Sequence, residues 1–182
     1  CIRDRYCMKK IFALAALFSL IAYEALACTN LLVSKGASKD GSVMVSYAAD
    51  SHTRYGTLVF MPAQRHKAGE MVEVREWGKE RFLGYIPQVE YTYNVIGNMN
   101  EHQLLIGEST WGGLPELIDT TAILDYGSLI YITLQRASTA RQAIEIFTSL
   151  LDQYGYASSG ESISFADPNE VWFMDIIARK PK

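Results

Sequence analysis

Cys28 is the residue best suited to carry chemistry, because the sequence before it predicts that it becomes the first residue of the working protein. Residues 8–10 (MKK) are a short basic stretch, residues 11–23 are almost wholly apolar, and residues 25–27 (ALA) provide small side chains at a cleavage site. This pattern is typical of a secretory signal peptide. The apolar stretch is shorter than the roughly 20 residues that a membrane-spanning helix needs. We therefore expect residues 8–27 to be removed, and the mature protein to be exported to the periplasm or the extracellular space.

A cysteine that carries a free α-amine combines a nucleophile and a base in one residue. A thiol is a strong nucleophile only as the thiolate, and an unperturbed thiol has a pKa of about 8.5. The α-amine has a pKa of about 7.7–8.0, so part of it is unprotonated at neutral pH and can accept the thiol proton. Hydrolases that start with their own nucleophile use this arrangement. Cys28 is therefore a candidate catalytic nucleophile.

Three other interpretations of Cys28 stay open. The thiol could be an inert buried side chain, as lone cysteines often are. It could be a lipid-attachment site, which would make the chain a lipid-anchored surface binding protein, although Leu26 occupies a position where that pattern favours a small residue. The cut could also fall elsewhere. Cys1 and Cys7 lie in residues 1–7, which we expect to be extraneous sequence, so the mature chain would have no intramolecular disulfide.

Length and charge limit the kinds of partner that the protein can have. Removing 27 of the 182 residues leaves 155, enough for one domain with a core of its own. The first 27 residues hold four of the 17 basic and two of the 20 acidic residues, so the remainder has a net charge of −5. Nucleic acids and anionic membranes bind clustered Lys and Arg. We therefore expect no nucleic-acid partner and no stable membrane insertion after cleavage, whereas a homo-oligomer is left open.

The first half of the mature chain predicts β-hairpins. Residues 29–34 and 43–48 are strand candidates, joined by a segment with two glycines and an Asp-Gly pair. Residues 57–60 are typical of an edge strand or strand end, and residues 64–80 are charged and irregular, which indicates exposed surface. A second hairpin is predicted from residues 93–97 and 103–108, with residues 98–101 as its turn. Asn98 and Asn100 are then turn-forming residues.

The second half predicts two helices followed by two strands. One helix should run over about residues 126–135 with Asp125 as its cap, and another over about 139–154 with Thr139 or Ser138 as cap and Gly155 at its end. Strands at 162–165 and 171–177 should flank a turn at 167–170. Strands, then helices, then strands indicate an α+β fold with antiparallel sheets.

Several segments together resemble one family, the cysteine dipeptidases of the dipeptidase A type within the N-terminal nucleophile (Ntn) hydrolases. The matching segments are CTNLLVSKGASKDGS (28–42), YAADSH (47–52), NVIGNMNEHQLLIGEST (94–110), DYGSLIYITLQRASTARQAI (125–144) and SSGESISFADPNEVW (158–172). The resemblance implies a four-layer αββα sandwich and hydrolysis of dipeptides with broad side-chain tolerance. Chains of this family are longer, so we expect residues 28–182 to be the N-terminal part of the domain. The alternative activity is that of an Ntn amidase acting on non-peptide amides, as bile-salt and penicillin acylases do.

The resemblance also implies roles for three residues. Cys28 takes the place of the nucleophile, and Asp50 falls where related hydrolases hold an aspartate near the nucleophile's amine. Thr110 is the closest match to an oxyanion-binding side chain in the related acylases, where its hydroxyl or a backbone N–H could donate. Asp50 could instead cap a strand end, and residues 107–113 could be a plain glycine-rich loop. Tyr47 stands where those acylases usually have arginine.

The three histidines do not predict a metal or cofactor site. His52 lies two residues from Asp50, but the sequence contains no HxH, HExxH or CxxC spacing. We expect all three histidines to be solvated loop residues and the enzyme to need no cofactor.

Overall fold

The computed structural model describes residues 28–51 and 56–177, and these residues form an α+β fold, as the order of predicted elements indicated. The predicted signal peptide and His52 lie outside the described residues. The strands are β1 Thr29–Val33, β2 Met44–Ala48, β3 Phe60–Met61, β4 Gln64–Arg65, β5 Met71–Arg75, β6 Phe82–Pro87, β7 Tyr91–Thr92, β8 Val95–Ile96, β9 Met99–Asn100, β10 Leu105–Gly112, β11 Gly160–Ala166 and β12 Val171–Ile176. The helices are a short 3-10 helix at Pro115–Leu117, α1 Tyr126–Leu134 and α2 Ala140–Tyr154.

A six-stranded antiparallel sheet, in the order β12-β11-β10-β9-β8-β3, is the centre of the fold. Both helices contact this sheet, α1 at β10 and α2 at β11, and Phe147 of α2 meets Phe165 of β11 edge to face with ring centroids 5.5 Å apart. Ile106, Phe147, Ile163 and Phe165 are fully buried there. Burial of such side chains contributes roughly 1.5–3 kcal/mol each, so this core fixes the sheet on which the candidate site is built.

The predicted first hairpin is confirmed: β1 and β2 pair in antiparallel register, from Thr29 opposite Ala48 to Val33 opposite Met44. This hairpin contacts β10 and β11 of the central sheet. Asn30 of β1 donates through Nδ2 to the Ser164 hydroxyl of β11 at 3.1 Å. The start of β1 is thereby held beside the central sheet.

Both predicted helices are confirmed, with the expected caps. Asp125 accepts a hydrogen bond from the backbone N–H of Ser128, and the Ser128 hydroxyl accepts from the N–H of Asp125, which completes a capping box. Thr139 caps α2 by accepting from the N–H of Gln142, and Gly155 ends that helix with a positive φ of 72°. The last two strands also form, around the predicted turn.

Two predictions about loops are wrong. Residues 64–80 are not irregular surface: they contain β4 and β5, and Val74 of β5 is 2% exposed in the core. Charged side chains alternate with the valines of β5. The charged residues gave the segment the composition of a surface loop, and its alternation of apolar and polar residues was overlooked. Residues 57–60 were expected to be an edge strand or a strand end, and Phe60 begins β3, the edge strand of the central sheet.

The second hairpin contains an extra strand, because residues 99–100, predicted as turn, form β9 between β8 and β10. Asn98 does lie in the turn before β9, but Asn100 is a buried strand residue. It donates through Nδ2 to the carbonyls of Leu134 and Ala137 at 2.7 Å each, and so satisfies carbonyls at the end of α1. The two hydrogen bonds that its side-chain amide donates explain why an Asn occurs at this buried position.

Candidate active site

Cys28 lies directly before β1, at the end of the hairpin that rests on the central sheet. Its carbonyl oxygen accepts a hydrogen bond from the hydroxyl of Ser109 in β10 at 2.5 Å. The residue is half-buried, and its thiol is not part of a disulfide. The fold therefore ties the predicted nucleophile to β10 by its main chain and leaves the thiol accessible.

Three groups surround the sulfur atom of Cys28. The Sγ atom is 3.7 Å from Oε1 of Glu108, and the backbone N–H groups of Asp50 and Thr110 donate to it. Burial raises the pKa of the Cys28 thiol above its ordinary value, and the charge of Glu108 raises it further, whereas the two N–H groups lower it. The net direction is upward. With residue 27 still attached, the thiol is thus predominantly protonated at neutral pH.

Glu108 is the carboxylate within hydrogen-bonding reach of the thiol, and it is almost fully buried in β10. Its Oε1 also accepts a hydrogen bond of 2.6 Å from the hydroxyl of Tyr47 in β2. Burial, and next the hydrogen bond to Glu108, raise the pKa of Tyr47 well above the ordinary tyrosine value. Tyr47 is therefore a neutral donor that holds Glu108 beside Cys28.

A second glutamate lies behind the first. Glu108 and Thr110 are two residues apart in β10, and Glu161 of β11 is the register partner of Thr110, so all three side chains project from one face. The Thr110 hydroxyl donates to Glu161 Oε1 at 2.8 Å and lies 3.5 Å from Glu108 Oε2. Burial and the charge of Glu108 raise the pKa of Glu161 to about 8.

Cys28 lines a cavity of about 590 Å³. The charged side chains of its described wall are three carboxylates, those of Asp50, Glu80 and Glu108, and no Lys, Arg or His occurs among the described lining residues. A wall of this charge attracts a cation such as an ammonium group. The size suits a small ligand.

Aromatic rings form the wall near α1. Trp77 packs on Tyr131 with ring centroids 4.5 Å apart, and the backbone N–H of Trp77 donates to the carboxylate of Asp125, the cap of α1. Gly127 permits this packing, because a Cβ there would lie 2.3 Å from Cγ of Trp77. The cap and this glycine therefore position an apolar wall in the cavity.

The structure brings the two other predicted site residues, Asp50 and Thr110, to the thiol of Cys28, both through their main chain. Asp50 contacts the sulfur through its backbone N–H, and its side chain is exposed. Thr110 also donates its N–H, while its hydroxyl is directed at Glu161. Thr110 is in β10 rather than in a glycine-rich loop, which corrects that alternative for residues 107–112. Whichever group of Thr110 meets a substrate, the backbone N–H is the one that faces Cys28.

The two described histidines are away from the cavity wall. His66 is half-buried, with Nδ1 3.0 Å from Glu70 Oε1 and Nε2 3.1 Å from the Thr92 hydroxyl. His102 is exposed, and its ring meets that of Tyr93. His66 is therefore a partnered residue next to β4 rather than a solvated one.

Sequence reasoning missed Glu108 and Glu161 as members of the site. Both belong to segments that were recognised, yet no motif singled them out. The available signal was a glutamate at an inward position of each of two apolar strands, since a fully buried Glu is rare unless it is paired. For Tyr47 the sequence indicated only that it replaces the arginine usual in the related acylases, and not that its hydroxyl binds Glu108.

Comparison with known proteins identifies the family. The family model of peptidase family C69 matches residues 27–74 and 57–180. This chain belongs to peptidase family C69. The match confirms, at family level, the resemblance that the sequence segments indicated.

Curated relatives carry consistent names. A probable dipeptidase of Salmonella dublin is 25% identical over 92% of this chain and 42% of its own length. A probable dipeptidase of Latilactobacillus sakei is 26% identical over 85% of this chain and 36% of its own length, and a probable dipeptidase B of Lactococcus lactis is 27% identical over 82% and 34%. The chain thus spans less than half the length of each of these relatives.

Proposed function

We propose that the protein hydrolyses dipeptides, with the Cys28 thiolate as nucleophile after the chain is cut between Ala27 and Cys28. Family membership and the names of the relatives support the reaction class. The observation that carries the assignment of the nucleophile is the position of the Cys28 sulfur, at the wall of the cavity with two backbone N–H groups and a carboxylate around it.

Cleavage before Cys28 supplies what the uncut chain lacks. The thiol pKa is raised while residue 27 is attached, so the nucleophile needs a base. The free α-amine takes the thiol proton, and the sulfur attacks the scissile carbonyl carbon. The resulting α-ammonium returns the proton to the leaving amine as the carbon–nitrogen bond breaks. Water then hydrolyses the thioester and regenerates the thiol.

The N–H of Thr110 is the proposed donor to the oxyanion of the tetrahedral intermediate. A backbone N–H costs no reorganisation during the reaction, and one such donor typically contributes about 2.7–4 kcal/mol to lowering the barrier. Asp50 is proposed to orient the new α-amine from the rim of the site. The acidic cavity wall fits the α-ammonium of a dipeptide, which an amide substrate without a free amine would lack.

For the complete domain we propose the αββα sandwich of Ntn hydrolases. Support comes from the central sheet, because helices and the β1–β2 hairpin both contact strands β10 and β11.

The test combines processing with activity. We expect N-terminal sequencing of the exported protein to begin at Cys28, and its intact mass to show no fatty-acyl addition. Cys28→Ala should abolish dipeptide hydrolysis with unchanged unfolding, because a methyl group offers no nucleophile. Cys28→Ser should keep only a small fraction of the activity. The control is Ser46→Ala, at an exposed position in β2.

Normal turnover by the alanine variant would disprove the proposal. A lipid-modified Cys28 would instead support a surface anchor, and turnover of bile-salt or penicillin amides with no turnover of dipeptides would support the amidase alternative.

A further inference from the structure

Glu161 is a buried ionisable residue for which the proposed reaction has no role. It is 1% exposed, and its Oε1 accepts a hydrogen bond from the Thr110 hydroxyl. Its Oε2 is buried without a hydrogen-bond partner at bonding distance among the described residues. A buried carboxylate with an unsatisfied oxygen is costly, so the protonation state of this residue needs an explanation.

The surroundings of Glu161 contain a second carboxyl group and, within the part of the chain that the structure describes, no cation. Glu108 projects from the same face, and one hydroxyl hydrogen of Thr110 faces both carboxyl groups. The other titratable groups that face the pair are Tyr47 and Cys28, on the hairpin side, and Tyr156, from the segment after α2. All three are hydroxyl or thiol groups that can donate a hydrogen bond. None is a cation that could compensate two negative charges. Two adjacent buried carboxyl groups in such a place do not both ionise at neutral pH.

We propose that Glu161 and Glu108 share one proton, that Glu161 holds it on Oε2 toward Glu108, and that Glu108 is thereby the single carboxylate presented to Cys28. The choice between the two follows from their donors. Glu108 accepts from the Tyr47 hydroxyl at 2.6 Å and lies 3.7 Å from the Cys28 sulfur, whereas among the described residues Glu161 has only the Thr110 hydroxyl as a donor. The better-solvated anion is therefore Glu108.

This inference rests on the proposed function for its consequence. With one proton in the pair, the buried face carries one negative charge, which matches one ammonium group at the nucleophile or on the substrate. Glu161 is then a positioning residue, which acts through Glu108 and does not touch the reacting atoms. Its proton is lost as the pH rises through about 8, and repulsion between two carboxylates should then disturb Glu108.

The sign of the effect on stability follows from linkage. A glutamate in the unfolded chain has a pKa of about 4.3, and the folded-state pKa of Glu161 is raised to about 8. The folded protein therefore holds a proton that the unfolded chain has lost, and this favours the unfolded state increasingly as the pH rises between the two values. The contribution of protonated Glu161 to the stability of the folded protein is complete below the unfolded-state pKa and is lost above the folded-state pKa. One such proton changes the folding constant by up to about tenfold per pH unit.

The experiment uses the full chain and two readouts that need no substrate. Unfolding by urea is measured from about pH 5 to about pH 9 for the wild type, for Glu161→Gln and for Glu145→Gln, an exposed glutamate of α2 that serves as control. In the wild type the folding constant should fall as the pH rises, and in Glu161→Gln this dependence should be weaker by up to about tenfold per pH unit. The control should follow the wild type. Equal pH dependence of all three would overturn the proposal.

Infrared difference spectra give the second readout. The carbonyl stretch of a protonated carboxyl group should be present in the wild type at neutral pH, disappear with a midpoint near pH 8, and be absent in Glu161→Gln. A wild type without this band at neutral pH would refute the shared proton even if the glutamine variant failed to fold. Because neither readout involves turnover, a failure here is distinguishable from a failure of the dipeptidase proposal.

Discussion

The two sides of the thiol are built differently. On the rim, Asp50 follows the end of β2, its side chain is exposed, and it meets the sulfur through its backbone. On the interior side, Glu108, Thr110 and Glu161 lie within paired strands, and they meet one another through side chains. The rim therefore depends on the path of the main chain, whereas the interior depends on which side chains are present.

Substitutions on the rim and in the interior should therefore have different effects on activity and stability. A backbone N–H survives substitution of its own side chain, so rim variants should change little beyond the group removed. Interior variants alter a buried hydrogen-bond network, in which each missing partner leaves another group unsatisfied. The following substitutions test this contrast.

Glu108→Gln should have the largest effect, because it removes the one carboxylate beside the thiol while keeping an oxygen that accepts from Tyr47. A hydrogen bond to a charged group is worth about 1.5–3 kcal/mol, so kcat/KM for dipeptides should fall roughly 10- to 100-fold. The thiol pKa should fall, since Glu108 raises it. Alkylation of Cys28 measured against pH should accordingly begin at lower pH than in the wild type.

Glu80→Gln is the matched control for that variant, because Glu80 lines the same cavity and is exposed. It should leave the alkylation profile unchanged. An unchanged profile in Glu108→Gln as well would mean that the carboxylate does not act on the thiol.

Thr110→Val should affect stability more than activity. The hydroxyl donated to Glu161 is lost, and the free energy of unfolding should fall by about 1–3 kcal/mol, as measured by urea denaturation. The backbone N–H at the sulfur remains, so dipeptide turnover per folded molecule should stay close to the wild type. Thr110→Ser restores the hydroxyl and should recover the stability.

The opposite outcome is equally informative. Full stability with turnover lost in Thr110→Val would identify the hydroxyl, rather than the N–H, as the oxyanion donor.

The fold was predictable where local chemistry decides it. The caps Asp125 and Thr139 and the terminator Gly155 specify α1 and α2 within the sequence itself, and both helices were found within a residue or so of their predicted bounds. Strand β5 was missed because charged residues alternate with its valines, and β9 was missed because its two residues, between the neighbouring strands β8 and β10, have the composition of a turn. Nothing local marks Asn100 as a strand residue, since its partners are carbonyls 34 and 37 residues later.

The site was predictable only in part for a related reason. Cys28 is marked by the cleavage pattern before it, and Asp50 and Thr110 by family resemblance. The Glu108–Glu161 pair depends on the register of β10 against β11, which places Thr110 opposite Glu161 across 51 residues. A shift of one residue would turn these side chains to the other face, and no short motif specifies that register.

Asp50→Asn should have the smallest effect of the series, because it changes only an exposed side chain at the rim. An exposed charge typically contributes about 0.2–1 kcal/mol, so kcat/KM for dipeptides should fall by roughly 1.5- to 5-fold. Stability in urea should stay within about 0.5 kcal/mol of the wild type, as is usual for surface substitutions. The N–H that donates to the sulfur is retained, and alkylation of Cys28 against pH should therefore match the wild type more closely than in Glu108→Gln. A loss of activity as large as that of Glu108→Gln would show that the Asp50 carboxylate acts directly on the reacting groups, and the rim would then depend on side-chain chemistry as the interior does.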